Sequence, residues 1–193
     1  MNLEHLNWPW TGWGYMGAHE SVFDIFRHIK NTIDPKTWLE IGFHLGHSTT
    51  YTLELTDAKV TALGIEKCRN GDRYEIGDRM VSIYGDRFEY FLGKDPLPPN
   101  PRELLKGRTF DVAFVDGDHK YESVCNDIDV CMEMKIPYVL IDNCELSQVA
   151  YAADEKLEVY NYDKFSYDSY WNGHELLEAR LYHVQYDDLQ EHV

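Results

Sequence analysis

The sequence predicts an α/β domain whose doubly wound, mostly parallel sheet ends in an antiparallel hairpin. Short apolar runs bounded by turn residues alternate with longer segments of helical apolar spacing between about residues 18 and 143. Strands that alternate with helices require crossover connections, which make neighbouring strands parallel. Two later stretches, 158–162 and 180–186, flank a polar and aromatic region around Asn172-Gly173, and they predict the hairpin at the sheet edge.

Three helices are predicted from apolar residues that recur at helical spacing. The first covers about residues 18–31, and Asp34-Pro35 closes it. The second runs from Gly46 to residue 55. The third precedes residue 138, and its apolar face is formed by Val124, Ile128, Cys131 and Met132.

Five strands are predicted from apolar runs that are too short for helices. They cover residues 38–42, 60–66, 80–84, 110–115 and 138–141. The prolines of residues 94–101 exclude regular structure and predict a surface loop. The length of 193 residues suits one domain, so we expect residues 18–193 to form it and residues 1–17 to be a separate aromatic segment.

The net charge of −16 argues against nucleic acid as a partner, because binding phosphates requires Lys and Arg. An acidic field favours small cations or metal ions, although surface carboxylates also serve solubility. No run approaches the length of a membrane span, which is about 20 apolar residues. The chain lacks a signal-peptide pattern, and its four cysteines lack metal-ligand spacing, which is typical of reduced thiols. We therefore expect a cytoplasmic protein without a membrane anchor.

Each predicted parallel strand runs into an acidic residue at its carboxyl end. In open α/β sheets, ligands bind beyond these ends, near the point where the strand order reverses. Turns favour Asp for local reasons, but five acids in register gather carboxylates that repel one another unless a cationic ligand is present. The sequence therefore predicts a ligand site lined by Glu40, Glu66, Asp86, Asp116 and Asp142.

The turn after the first strand is the most informative segment. Residues 40–48 contain Gly42 and Gly46, which allow close backbone approach to a ligand, and a helix N-terminus follows them. The spacing is not that of the dinucleotide fingerprint. The bulky Phe43 and His44 in this loop also argue against a nicotinamide or flavin cofactor.

Five motifs in this order resemble those of class I S-adenosylmethionine (SAM)-dependent methyltransferases, which have a Rossmann-like fold. They are WLEIGFHLGHST, LGIE, YGDRFEYF, FDVAFVDGDHKYESV and VLIDN. The resemblance covers residues 18–143, and the terminal hairpin is also expected of that fold. The ordered set, especially VDGDHKYE, is similar to the small O-methyltransferase branch with macrolide sugar and catechol-type enzymes. Residues 135–137 replace the Gly-Gly turn common there, which leaves the acceptor open.

The resemblance implies a SAM site along the first strand ends. Glu40, Gly42 and Gly46 would surround the methionine part of the cofactor. Ser48, at the helix start, would hydrogen-bond the methionine carboxylate. Glu66 would accept both ribose hydroxyls, since a carboxylate offers two acceptor oxygens.

The adenine end of SAM is assigned to the third motif by the same resemblance. Asp86 would meet the adenine amino group, and the backbone of Arg87 or Phe88 would serve the ring nitrogens. Each acid taken alone is also explained as a helix cap or turn residue. Asp116 would border the cofactor as well as the reaction centre.

The resemblance further implies a divalent metal, most simply Mg²⁺, on Asp116, Asp142 and Asn143. Oxygen ligands from adjacent strand ends suit this hard cation, which would orient the substrate hydroxyl and lower its pKa. Asp118 is a further candidate contact. The alternative for Asp142 and Asn143 is that they only cap a turn.

His119 stands where those enzymes place a general base, three residues after Asp116. Its ordinary pKa, about 6.5, suits proton removal near neutrality, and Lys120 is the alternative base. His119 is otherwise explained as a helix-start residue bonded to Asp116 or Glu122.

The N-terminal segment is rich in aromatic residues, namely Trp8, Trp10, Trp13 and Tyr15. It is either a lid over the substrate or an apolar anchor against the sheet or a second copy in a homodimer. The same alternatives, a substrate pocket or a subunit interface, apply to the aromatic residues near the hairpin, namely Tyr160, Tyr162, Phe165, Tyr167, Tyr170 and Trp171.

Taken together, the sequence predicts a SAM-dependent methyltransferase that methylates the hydroxyl of a small molecule with the help of a metal. Two alternatives remain open. One is a non-catalytic binding protein that keeps the methyltransferase fold. The other is a metal-independent methyltransferase that acts on a nitrogen or a protein side chain.

Overall fold

The computed structural model describes residues 20–65, 67–68, 71–93, 100–169 and 175–186. Nine strands are present in these ranges: β1 (Thr37–Phe43), β2 (Lys59–Ile65), β3 (Lys67–Cys68), β4 (Gly71–Asp72), β5 (Phe88–Gly93), β6 (Val112–Val115), β7 (Tyr138–Ile141), β8 (Tyr162–Ser169) and β9 (Glu175–His183). The helices are α1 (Glu20–Thr32), α2 (His47–Leu55), α3 (Arg73–Tyr84), α4 (Pro101–Leu104), α5 (Tyr121–Glu133) and α6 (Ser147–Leu157). No helix in these parts of the chain is long and apolar enough to cross a membrane.

The central sheet has seven strands in the order β5-β2-β1-β6-β7-β9-β8. The first five are parallel, whereas β9 runs antiparallel to both of its neighbours. This arrangement confirms the Rossmann-like, doubly wound sheet with a terminal hairpin. The order reverses between β1 and β6, so a crevice opens at the carboxyl ends of these strands, where ligands bind in such sheets.

The central strands β1, β6 and β7 are largely buried because helices cover both faces of the sheet. Successive residues of β1, such as Trp38 and Leu39, belong to separate cores on opposite faces. The first core is shared with buried residues of α1, α2 and α3, and the second with those of α5 and α6. Cys125, Cys131 and Cys144 are buried free thiols, as expected.

Most predicted elements of the parallel region are confirmed, but the strand at residues 80–84 is wrong. These residues end the helix α3, and the edge strand is β5, which follows it. Met80 is fully buried, whereas Val81 and Ile83 are exposed, which is a helical pattern. Gly77 explains the tight packing of the two elements, because a Cβ there would lie 2.4 Å from the Tyr90 ring.

The hairpin was predicted correctly in kind but not in position. Of residues 158–162, only Tyr162 belongs to a strand of the hairpin. The residues before it connect β8 to the helix α6 (residues 147–157), which the sequence pattern did not predict. The strands β8 and β9 pair from Tyr162 with Tyr182 to Ser169 with Glu175. The turn around Asn172-Gly173, the aromatic segment 1–17 and most of the proline-rich loop lie outside the described residues, so the predictions made for them stay predictions.

Asp86 and Arg87 lie at the wrong edge of the sheet for a cofactor site. They belong to a single 3-10 turn, Gly85–Arg87, that precedes β5, and the start of β5 pairs with the start of β2. The carboxyl-end crevice is on the opposite side. The Arg87 guanidinium instead donates to the carbonyls of Leu53, Thr56 and Ala58 at 2.7 to 3.2 Å. The first of these carbonyls belongs to the last turn of α2 and the other two follow the helix, so Arg87 caps its C-terminus.

We expect Arg87→Met to destabilise the protein by about 2 to 3 kcal/mol, because three carbonyls lose a charged donor. Affinity for SAM should not change. Urea unfolding and calorimetry measure the two quantities. The control is Arg102→Met, which removes an exposed ion pair with Glu133 and should cost less than about 1 kcal/mol. A loss of SAM affinity without a loss of stability would restore Arg87 to the cofactor site.

Candidate active site

Three strand ends meet at the candidate active site. Asp116 directly follows β6 and Asp142 directly follows β7. Backbone hydrogen bonds continue past the strands, from Asp116 N to Ile41 O at 2.9 Å and from Asp142 N to Val115 O at 3.1 Å. The ends of β1, β6 and β7 are therefore held in register, and two of the predicted acids lie side by side.

Glu40 joins β1 to α2 below this crevice. Its side chain is buried, at 1 % exposure. Ser48 Oγ donates to one carboxylate oxygen at 2.6 Å, and Thr49 Oγ1 donates to the other at 2.7 Å. Burial, reinforced by nearby Asp116, raises the pKa of Glu40 to about 7 although both hydroxyls oppose the shift. The Ser48 hydroxyl, predicted to meet the SAM carboxylate, is thus directed at Glu40.

Gly42 and Gly46 each have a positive φ, of 125° and 72°. A Cβ at Gly42 would lie 1.9 Å from the carbonyl oxygen of Asp116, which no side chain can tolerate. Gly42 is the last residue but one of β1 and opens the segment 42–46 that leads into α2, here called the Gly42 turn. The Gly42 turn therefore touches the loop after β6 backbone to backbone. The sequence analysis expected Phe43 to occupy this loop. Its ring instead packs into the core against Phe88, with centroids 5.8 Å apart.

His119 lies beside Asp116, with Nε2 3.4 Å from Oδ1. The hydrogen bond to Asp116 raises the pKa of His119, with further contributions from Asp142 and Asp118, while partial burial opposes the shift. Burial also raises the pKa of Asp116. The imidazole and the carboxylate thus form a hydrogen-bonded pair, in which the carboxylate stabilises the protonated ring.

The other two candidates of this loop bind each other. Lys120 Nζ donates to Asp118 Oδ2 at 2.8 Å, and this carboxylate also accepts from the Ser123 hydroxyl at 3.1 Å. Both side chains of the ion pair are at least half exposed. The structure therefore brings His119, and not Lys120, to Asp116.

Asp142 has a partner, Tyr167, that the sequence placed only in a substrate pocket or a subunit interface and did not connect with Asp142. The Tyr167 hydroxyl, on strand β8, donates to Asp142 Oδ1. Tyr167 is 1 % exposed and Asp142 is 4 % exposed. Burial first, and then repulsion from Asp116, raises the pKa of Asp142 to about 8. Sequence spacing gives no signal for this contact, because the two residues are far apart in the chain.

Asn143 and Glu145 complete this side of the crevice. Asn143 adopts a left-handed φ of 56°, and its amide donates to Glu145 Oε1 at 3.3 Å. Glu145 was not predicted, and its charge contributes to the raised pKa values of Asp116 and Asp142. Within the described ranges, no three His, Cys, Asp or Glu side chains are arranged to hold a metal ion.

The residues that follow β2 and β5 in the sequence lie largely outside the described ranges. Glu66, predicted to bind the ribose, follows directly after β2 and is among the residues not described. The acid that follows β5 in the sequence is Asp95, two residues after Gly93, and it is also outside the described ranges. Asp95, and not Asp86, thus continues the pattern of strands followed by acids.

The family of this chain is shown by its match to the methyltransferase domain. The match covers residues 39–143, from within β1 to the residue after Asp142. The chain belongs to the methyltransferase domain family, and its recognition as a class I methyltransferase from the sequence motifs is confirmed. A search of curated protein sequences found no match.

Solved structures share the fold at low sequence identity. The O-methyltransferase TomG from Streptomyces achromogenes, involved in tomaymycin synthesis and in complex with SAM, is 14 % identical, with a TM-score of 0.63 over 89 % of this chain and 83 % of that chain. An O-methyltransferase from Bacillus cereus in complex with SAH is 15 % identical, with a TM-score of 0.59 over 86 % and 82 %. A precorrin 8w decarboxylase from Methanobacterium thermoautotrophicum is 16 % identical, with a TM-score of 0.57 over 84 % and 90 %. Because these reactions differ, the fold alone does not define the acceptor.

We expect Glu40 to make the protein less stable as the pH rises. Its pKa is about 7 when folded and near its ordinary value of about 4.5 when unfolded, so the unfolded chain loses its proton first. Stability is full below the lower value and falls, by up to about 3 kcal/mol, as the pH rises through the higher one. Glu40→Gln should remove this part of the decline.

Urea unfolding near pH 5 and near pH 8 measures this effect. The control is Glu103→Gln, at an exposed position of α4. An equal pH dependence in wild type and Glu40→Gln would mean that Glu40 is ionised in the fold throughout this range.

Proposed function

We propose that this protein is a SAM-dependent methyltransferase that methylates a hydroxyl group of a small molecule. The observation that carries the proposal is the contact of the Gly42 turn with the Asp116 backbone. It places the turn assigned to the cofactor directly against the loop that carries His119. The O-methyltransferases that share the fold, solved with SAM or SAH, support the same assignment.

The residues around the Gly42 turn fit SAM. The N-terminus of α2 suits the methionine carboxylate, because helix N-termini favour anions. The buried Glu40 carboxylate favours a cationic ligand nearby, since such a charge offsets the burial that raises its pKa. Bound SAM would supply the methyl group. We propose Glu66 for the ribose and Asp95, in place of Asp86, for the adenine.

His119 is the proposed base. Its Nε2 atom donates to the Asp116 carboxylate, so the free lone pair of the neutral ring is on Nδ1. Nδ1 takes the proton from the acceptor hydroxyl, and Asp116 stabilises the imidazolium that results. The loop after β6 would hold the acceptor hydroxyl in line with the methyl group of SAM. Such alignment can supply about 7 to 11 kcal/mol of the rate enhancement.

We propose that Asp116, Asp142 and Asn143 hold a divalent cation such as Mg²⁺. Their oxygen atoms are the donors that this ion prefers. Burial first, and then repulsion from Asp116, raises the pKa of Asp142, and a cation bound there would offset both effects. When bound, the metal would lower the pKa of the acceptor hydroxyl.

The acceptor is proposed to be a small molecule and not a nucleic acid. The chain has a net charge of −16, and three of its acidic residues, Asp116, Asp142 and Glu145, lie together at the crevice. Phosphate groups would be repelled by such a surface. A homodimer, an aromatic lid over the acceptor and a cytoplasmic location are further proposals from the sequence.

Calorimetry with SAM, first with Mg²⁺ and then with EDTA, tests the proposed function. We expect SAM to bind in both conditions and methyl transfer to a panel of small hydroxyl compounds to require the metal. An absence of SAM binding would refute the central proposal. Binding without transfer would favour a non-catalytic protein, and full activity in EDTA would remove the metal from the mechanism.

We expect His119→Ala to lower turnover by about 10² to 10⁴, because a general base contributes about this much. SAM affinity should stay within about twofold. The matched control is His183→Ala, since His183 also lies beside a carboxylate, Asp163, and its side chain is 40 % exposed against 42 % for His119. His183 pairs with the first residue of β7, so it lies at the opposite edge of the sheet. Equal losses of turnover and SAM affinity would make His119 a structural residue.

A further inference from the structure

The hydrogen bond between Tyr167 and Asp142 joins strands that are not neighbours. Tyr167 lies on β8, the outermost strand, and Asp142 follows β7, with β9 between them. Arg180 pairs with Ile141, so Ala179, the preceding residue of β9, lies level with Asp142. Ala179 is fully buried in the same core as Tyr167. Its small side chain leaves room for the phenol ring to reach across β9.

The carboxylate of Asp142 is held at two points. Tyr167 donates to Oδ1, and the backbone N–H of Asn143 also donates to this carboxylate. A carboxylate has about four lone-pair positions, so two remain for a ligand in the crevice. Because Tyr167 is buried and rigidly packed, its hydroxyl fixes the orientation in which these positions are presented.

We infer that Tyr167 is a positioning residue of the active site, which orients Asp142 toward the divalent cation and the acceptor hydroxyl. This inference rests on the proposed function, because it assigns Asp142 the role of a metal ligand. Tyr167 itself touches neither the cation nor the acceptor in this scheme. It acts as the outer partner of a ligand, and the loss of such a partner typically weakens metal affinity or activity by about 10- to 100-fold.

The test replaces Tyr167 with Phe, which removes one oxygen atom and keeps the ring. We expect Mn²⁺, titrated without SAM and followed by electron paramagnetic resonance of the free ion, to bind about 10- to 100-fold more weakly. SAM affinity should be unchanged. The matched control is Tyr182→Phe, because Tyr182 is also 1 % exposed and comes from the same hairpin. The Tyr182 hydroxyl accepts from Arg180 at 3.4 Å. The Tyr182 ring packs in the second core, together with residues of α5 and α6.

A double-mutant cycle with Asp142→Asn distinguishes positioning from general packing. If Tyr167 acts through Asp142, Tyr167→Phe should have almost no further effect on Mn²⁺ affinity or on kcat/KM in the Asp142→Asn protein. Additive losses would show that Tyr167 contributes only to packing. Thermal unfolding of each variant establishes that the folded protein is being compared.

The outcomes separate this inference from the proposed function. Wild-type protein that binds Mn²⁺, together with Tyr167→Phe that binds it as tightly or more tightly, would overturn the inference and leave the function intact. Wild-type protein that binds no Mn²⁺ would overturn the metal role of Asp142, and the inference with it. The SAM-dependent methyl transfer itself would still be decided by the separate assay of transfer to small hydroxyl compounds.

Discussion

The buried Glu40 carboxylate, bonded to Ser48 and Thr49, is the interaction on which the active site depends. It fixes the first turn of α2 to the middle of β1, and the two elements can then be joined only by a tight turn. That turn needs positive φ angles at Gly42 and Gly46. Gly42 in turn rests on the backbone of Asp116. Glu40 thus holds α2 to β1, and the pairing of β1 with β6 brings the Gly42 turn against the loop that carries the proposed base.

The second constraint is the repulsion among carboxylates at the carboxyl edge of the sheet. Asp116, Asp142 and Glu145 each accept a hydrogen bond, from His119, Tyr167 and Asn143 respectively. These donors satisfy the acids locally, but burial and the neighbouring Asp116 still raise the pKa of Asp142 to about 8. A site of this kind stabilises positive charge. The cationic cofactor, the metal and the protonated base of the proposed reaction all carry such charge.

The methyltransferase fold accounts for the place of this site but not for its substrate. Structures at 14 to 16 % identity share the fold, although one is a decarboxylase and others are O-methyltransferases. The strand-order reversal between β1 and β6 gives any such protein a crevice there. The reaction is set by the side chains at its rim, so the function has to be argued from His119, Asp116 and Asp142.

The sequence by itself determined four of the five parallel strands, the Gly42 turn and the acids Glu40, Asp116 and Asp142. These features are local, because fully buried strands are read as short apolar runs and turns require particular residues. It misassigned residues 80–84, since a short apolar window does not separate a strand from one face of a helix. Because of that error, Asp86 and Arg87 were predicted to follow the carboxyl end of a strand, whereas they precede β5. Only the tertiary structure showed that Arg87 caps α2 and that Tyr167 holds Asp142. Both contacts join residues far apart in the chain, so strand order and packing create them and no local pattern encodes them.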